Sequence, residues 1–188
     1  MGMDIYLKDP EIEARRKRYR KTFRKYVALR DQTEDKQTRE RYQKKVWEWY
    51  ERMFCGKMGY FRVNYNDYSI SYWLEYNIDP EAKAAWGIEP FYSASRASKD
   101  GLITDKAFHK GLLETARRWY GKALKLKDKQ SMLMATDYAK SHSDKGKWVK
   151  KQVTLKPKQT NSYIEYLKEL VEFAELAVKT QAPIEVSA

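Results

Sequence analysis

Residues 15–30 are the most constraining stretch of the sequence, because they hold nine Lys or Arg residues and no acidic residue. The cations are Arg15, Arg16, Lys17, Arg18, Arg20, Lys21, Arg24, Lys25 and Arg30. Apolar residues recur through the same region at helical spacing, namely Ile12, Tyr19, Phe23, Tyr26 and Val27. This pattern predicts a surface helix with one packed side. Its crowded positive charges repel one another until something negative covers them.

This helix has a clear start signal and a predicted partner helix. Asp9 can cap it, Pro10 suits its first position, and Glu11 favours the positive end of the helix dipole. Residues 31–34 read as a capping box that starts a second helix, which runs to about residue 54. The apolar stripe of that helix is Tyr42, Val46, Trp49, Tyr50 and Met53. We therefore predict a basic helical hairpin at 9–55, inserted after the first strand. One long helix is the alternative if no turn forms at 31–33.

Alternating apolar and polar residues predict strands at both ends of the chain. In the first of them, Met3, Ile5 and Leu7 point one way and Asp4 and Tyr6 the other. Strands are also predicted at 60–65, 147–156 and 184–186, and helices at 79–86, 104–123, 131–141 and from 163 to 177, whereas 68–78 fits either. The predicted fold is therefore α/β (α+β), a single domain over 1–188 with a small sheet that includes both terminal strands, packed by amphipathic helices.

The charge balance narrows the class of partner. The 38 Lys and Arg residues against 26 Asp and Glu give a net charge of +12, which favours a polyanion. Short apolar runs predict no transmembrane segment, and the first residues lack the pattern of a signal peptide. The single cysteine, Cys55, fits a reducing compartment, so we expect a cytoplasmic protein. His109 and His142 lack further ligands at metal spacing, and we predict no metal site and no cofactor.

The predicted nucleic-acid-binding residues form two sets. The first is the nine cations of residues 15–30. The second is Lys147, Trp148, Lys150 and Lys151, where lysines flank an aromatic ring that suits base stacking. A further basic group comprises Arg117, Arg118, Lys122, Lys125, Lys127 and Lys129. Taken alone, this group and the group around Trp148 both fit an ordinary lysine-rich surface.

A candidate polar pocket lies on the predicted sheet. Asp4 and Arg62 both stand mid-strand, and they would pair if their strands are neighbours. Together with Tyr6, Tyr60 and Tyr65 they would form a polar pocket. The alternative is a buried ion pair that serves the structure alone.

The sequence contains no pattern that specifies an enzyme. Gly56 to Gly59 lacks the spacing of a phosphate-binding loop, and the serines stand in no nucleophile elbow. Asp67 with Glu81 and Lys83 loosely fits an acid–lysine nuclease. However, Pro80 places Glu81 in the first turn of a helix, whereas that chemistry needs it on a strand beside the metal.

Three stretches resemble an uncharacterised family of small bacterial and phage proteins. They are Met-Gly-Met-Asp-Ile-Tyr-Leu at 1–7, Gly-Tyr-Phe-Arg at 59–62, and the C-terminal run from residue 170 to 188. The resemblance implies a small α/β fold with strands at both termini and supplies no activity. Many members carry a His-Gly-Gly stretch after the Gly-Tyr-x-Arg segment. Here residues 66–69 are Asn-Asp-Tyr-Ser, so any site that uses that histidine is absent.

The leading functional hypothesis is a non-enzymatic nucleic-acid-binding protein of phage or mobile-element type, whose basic arm contacts phosphates. Its partner would be nucleic acid or a nucleoprotein complex. The alternative is a protein-binding inhibitor or adaptor with an anti-defence role, for example one that blocks a host defence complex by binding an acidic protein surface. A metal-dependent nuclease is the third hypothesis.

Overall fold

Helices and two small antiparallel sheets alternate along the chain. The computed structural model describes residues 2–64, 68–80, 94–96, 98, 100–138 and 148–187. Its strands are β1 (Gly2–Leu7), β2 (Tyr60–Asn64), β3 (Leu102–Ile103), β4 (Ser131–Tyr138), β5 (Trp148–Leu155) and β6 (Ile184–Ser187). Its main helices are α1 (Pro10–Gln32), α2 (Lys36–Met53), α3 (Tyr68–Asn77), α4 (Lys106–Ala123) and α5 (Pro157–Thr180), and short 3₁₀ turns lie at Gly56–Met58 and Leu124–Leu126.

Both terminal strands lie side by side in the larger sheet, whose order is β2-β1-β6-β3. This confirms the predicted α+β class and the predicted place of the terminal strands. Every pairing is antiparallel, with Tyr6 opposite Tyr60 in β2 and opposite Glu185 in β6. Because side chains alternate along a strand, Ile5 and Leu7 share the opposite face, and both are fully buried.

The apolar face of this sheet packs on α5, the longest buried helix. Phe61 of β2 places its ring 5.0 Å from that of Tyr166 and 6.2 Å from that of Phe173. Helix α4 packs against α5 in turn, and it buries Trp119 among other residues. The sheet therefore has one face closed by the core and one polar face left for the N-terminal hairpin.

Helices α1 and α2 form the predicted hairpin between the adjacent strands β1 and β2. Asp9 caps α1 by accepting hydrogen bonds from the backbone of Glu11 and Ile12. The predicted restart at residues 31–34 is wrong in detail: α1 continues to Gln32, and Asp35 caps α2. Ring contacts hold the helices together, pairing Tyr19 with Trp49, Phe23 with Tyr50 and Tyr26 with Tyr42.

Two predicted elements differ in the structure. The helix predicted at 131–141 is wrong, because residues 131–138 form strand β4, paired with β5. There the buried Ser131 hydroxyl lies 2.7 Å from that of Thr160 and accepts the Trp73 indole N–H at 2.8 Å, so the strand is tied to α3 and α5. Helix α5 also starts earlier than predicted, because Pro157 takes its first position. The helix expected at 79–86 falls on residues 81–86, outside the described part of the chain.

Candidate nucleic-acid interface

Seven of the nine cations of residues 15–30 are exposed to solvent. They are Arg15, Lys17, Arg18, Arg20, Lys21, Arg24 and Lys25. Among the residues that the structure describes, no carboxylate lies within salt-bridge distance of any of the seven. We name these residues the α1 cation row. The two remaining cations, Arg16 and Arg30, are engaged within the fold.

Arg16 is a structural residue at the base of the hairpin. Its Nε donates to the Met58 carbonyl at 2.9 Å, and its Nη2 donates to the carbonyls of Leu7 and Gly59, both at 3.1 Å. The guanidinium also lies 5.3 Å from the centre of the Tyr6 ring. Burial lowers the pKa of Arg16 from its usual value. The geometry therefore ties α1 to the end of β1 and to the turn before β2.

Arg30 is engaged at the other end of α1. Its guanidinium forms a salt bridge to Asp31 at 2.7 Å and donates to the Gln43 side chain of α2 at 3.0 Å. It therefore fixes the distal end of the hairpin and contributes less free charge than the α1 cation row.

The exposed cations lie along both flanks of α1. A groove of about 460 Å³ runs along one flank; its described lining residues are Glu13, Arg16, Lys17, Arg20, Lys21 and Arg24. Arg15, Arg18 and Lys25 fall on the other flank, because a helix turns about 100° per residue. The positive charge therefore surrounds the solvent side of α1 and is not confined to one patch.

An aromatic chain connects the hairpin to the polar face of the sheet. Neighbouring ring centres along it lie 4.7 to 5.9 Å apart, in the order Trp47, Tyr50, Phe54, Tyr60 and Tyr6. Trp47 ends the chain with 57% of its surface exposed. Trp47 is not among the residues predicted from the sequence, because of the two tryptophans in α2 only Trp49 belongs to the apolar stripe. A large aromatic residue off that stripe, such as Trp47, is expected to face solvent.

Of the two other basic groups, one is partly neutralised by carboxylates, and the side chains of the other lie largely outside the described structure. In α4, Arg117 pairs with Glu175 at 2.8 Å and Arg118 with Asp79 at 3.2 Å, so part of that group is already neutralised. Trp148, Lys150 and Lys151 lie in β5, but their side chains are outside the described part of the structure, as is residue 147 as a whole.

The four described residues of the candidate polar pocket form a polar cluster on the face of the sheet that meets the hairpin, namely Asp4, Tyr6, Tyr60 and Arg62. Tyr60 donates to the Asp4 carboxylate at 2.7 Å, and Arg62 lies opposite Asp4 with its Nε 3.7 Å from the same oxygen. The Arg62 side chain is half exposed, so the predicted pairing of Asp4 with Arg62 forms but is not buried. Tyr65 falls outside the described residues.

The local electrostatics stabilise the neutral form of the two described tyrosines, Tyr6 and Tyr60. Burial, followed by the hydrogen bond to Asp4, raises the pKa of the Tyr60 phenol. Burial and the Asp4 charge also raise the pKa of Tyr6. Both phenols therefore stay protonated, and the cluster serves to join β1, β2 and the base of the hairpin.

The described residues offer neither a cluster of metal ligands nor an activated thiol. In this part of the chain, no three of the His, Cys, Asp and Glu side chains come together as metal ligands would. Cys55 is half buried, and burial raises the pKa of its thiol, which keeps it protonated and weakly nucleophilic.

His109 predicts a pH dependence of stability. The residue is fully buried in α4, and within the described structure neither ring nitrogen has a hydrogen-bond partner. Burial lowers the pKa of His109 from the ordinary 6.5, although the Ile103 backbone and Asp105 act in the opposite direction. Below pH 6.5 the unfolded chain therefore binds a proton that the folded chain rejects. The free energy of unfolding should fall with pH by at most about 1.4 kcal/mol per unit.

The measurement is urea unfolding from pH 7.5 to 5 of the wild type and of His109→Leu. The difference between their curves isolates this histidine, because the carboxylates are common to both. We expect a shallower fall below pH 6.5 in the variant, and parallel curves would contradict the assignment.

Comparison with known protein families, with curated proteins and with solved structures finds no match to this chain. The geometry of the hairpin is therefore the main guide to the function of the protein. Among the helices of the described residues, none combines the length and the apolarity that crossing a bilayer requires.

Proposed function

We propose that the protein is a non-enzymatic nucleic-acid-binding protein of phage or mobile-element type, which contacts phosphates through the α1 cation row. One observation supports this most directly: seven cations crowd one helix, exposed and without a carboxylate partner among the described residues. A positive surface without internal compensation is stabilised by an external polyanion.

The density of the charge favours nucleic acid over an acidic protein surface. Four exposed cations, Lys17, Arg20, Lys21 and Arg24, line one flank of α1. They span seven helical rises, which is about 10 Å, so this flank alone supplies roughly one charge per 3 Å. Each strand of duplex DNA carries one charge per about 3.4 Å. An acidic patch on a folded protein has no such continuous line of charge, so a polyphosphate backbone is the better complement.

The test is a salt titration of binding to a 20-base-pair DNA duplex and to a 20-nucleotide single strand, measured by fluorescence anisotropy. On the duplex, each phosphate contact should raise the logarithm of the dissociation constant by about 0.9 for every tenfold increase in salt concentration. On the single strand, each contact should raise it by about 0.7.

A pair of charge-matched variants locates the site. Lys17→Gln, Arg20→Gln and Arg24→Gln together remove three charges from the α1 cation row. Lys125→Gln, Lys127→Gln and Lys129→Gln remove three exposed charges beyond the end of α4. We expect the first set to weaken binding by about tenfold or more and to lower the duplex salt slope by about 3. The second set should change affinity less than about twofold.

The outcomes discriminate between the hypotheses. Equal losses in the two variants would show that net charge acts without a defined site. If the hairpin variant binds as the wild type does, the α1 cation row is not the interface. If neither nucleic acid binds while the hairpin captures a host protein from nuclease-treated lysate, the inhibitor or adaptor hypothesis replaces this one.

A further inference from the structure

We infer that Trp47 is a base-stacking residue and that the ligand of the hairpin is single-stranded nucleic acid, an inference that rests on the proposed function. Trp47 is the most exposed large apolar side chain among the described residues, at 57%. Every base has a flat face that can stack on an indole, but in a duplex those faces are already stacked on their neighbours. An exposed ring beside a cation row therefore selects unpaired bases.

Ring contacts connect Trp47 to the part of α1 that carries Arg20. The Trp47 ring contacts Tyr50 at 5.9 Å, and Tyr50 contacts Phe23 of α1 at 6.4 Å. Arg20 lies three residues before Phe23 and therefore projects from a neighbouring position on α1, and Arg24, four residues after Arg20, continues the same line. Phosphates bound along that line would leave their bases free to reach the indole.

The described structure gives the indole of Trp47 one ring contact, to Tyr50. Tyr50 meets Trp47 edge-on and packs on Phe54, whose ring centre lies 4.7 Å away, and the contacts continue to Tyr60 in the sheet. A ring that is already restrained on one side loses less conformational freedom when a base stacks on it, which favours binding. Lys44, one turn earlier on α2, is also exposed and could meet a phosphate.

The test compares a 20-nucleotide oligothymidine with a 20-base-pair duplex in fluorescence anisotropy, using the full chain at one salt concentration. Trp47→Ala should weaken binding of the single strand by about tenfold and change duplex affinity less than about twofold. Trp47→Phe, which keeps an aromatic face, should restore most of the single-strand affinity. Tyr76→Ala, which removes a 47% exposed ring in α3, is the matched control and should change neither.

Failure of this inference is distinguishable from failure of the proposed function. If Trp47→Ala leaves single-strand binding intact while the Lys17, Arg20 and Arg24 variant loses both ligands, stacking is rejected and phosphate binding stands. Equal losses on both ligands in Trp47→Ala would also reject base stacking. If the wild type binds neither ligand, the proposed function itself fails.

Discussion

Replacing Gly56 with alanine is expected to lower the free energy of unfolding by about 3 kcal/mol, because the turn before β2 lies directly against α5. An added Cβ would lie 2.2 Å from the Glu169 carbonyl oxygen and 2.9 Å from the Phe173 amide nitrogen. Both are backbone atoms in the middle of a buried helix and cannot move independently. Relief requires the turn to separate from α5, which also lengthens the 2.6 Å bond from the Gly56 amide to the Glu169 carboxylate.

A matched control is available in the same chain. Gly111 lies on the exposed side of α4, and an added Cβ there meets no atom within 4 Å. Gly111→Ala should therefore raise the free energy of unfolding by about 1 kcal/mol through helix propensity alone. Calorimetry should show a melting temperature about 6 to 12 °C lower for Gly56→Ala and a few degrees higher for Gly111→Ala. Equal small changes would show that the turn does not press on α5.

The terminal strands and the hairpin could be predicted because their signals are local. The alternation at residues 3–7 predicts a strand with one apolar and one polar face, whichever strand pairs with it. Asp9 likewise caps α1 through residues two and three positions further on. Strand β4 could not be predicted in this way. Its Met, Leu and Ala residues favour a helix, and the sequence does not show that β5 pairs with it 17 residues further on.

The sequence identified the nine cations of the candidate site, but it did not show which of them are engaged within the fold and which face solvent. Residues 15–30 form one basic helix in the sequence, and no local signal separates Arg16 from Arg20. The difference arises because the carbonyls that Arg16 binds, at Met58 and Gly59, are more than 40 residues away. The exposure of Trp47, by contrast, could have been predicted from the sequence, because this residue lies off the apolar stripe of α2.

Replacing Arg16 with alanine is expected to lower the free energy of unfolding by about 3 kcal/mol, a cost that Arg20→Ala does not share. Hydrogen bonds that involve a charged group contribute about 1.5 to 3 kcal/mol, and the Arg16 guanidinium makes three from a partly buried position. Its loss leaves the carbonyls of Leu7 and Met58 without these donors. Arg20 is exposed, and its removal should change stability by less than about 0.5 kcal/mol.

Measuring stability and affinity on the same two variants separates folding from binding. Urea unfolding should show the large loss for Arg16→Ala alone. Anisotropy with a single-stranded probe, at a temperature where both variants are folded, should show the larger loss of affinity for Arg20→Ala. If instead Arg16→Ala melts like the wild type and loses most of the binding, its guanidinium faces the ligand. The hairpin would then be held by its ring contacts alone, and the division of α1 into one structural arginine and seven exposed cations would be wrong.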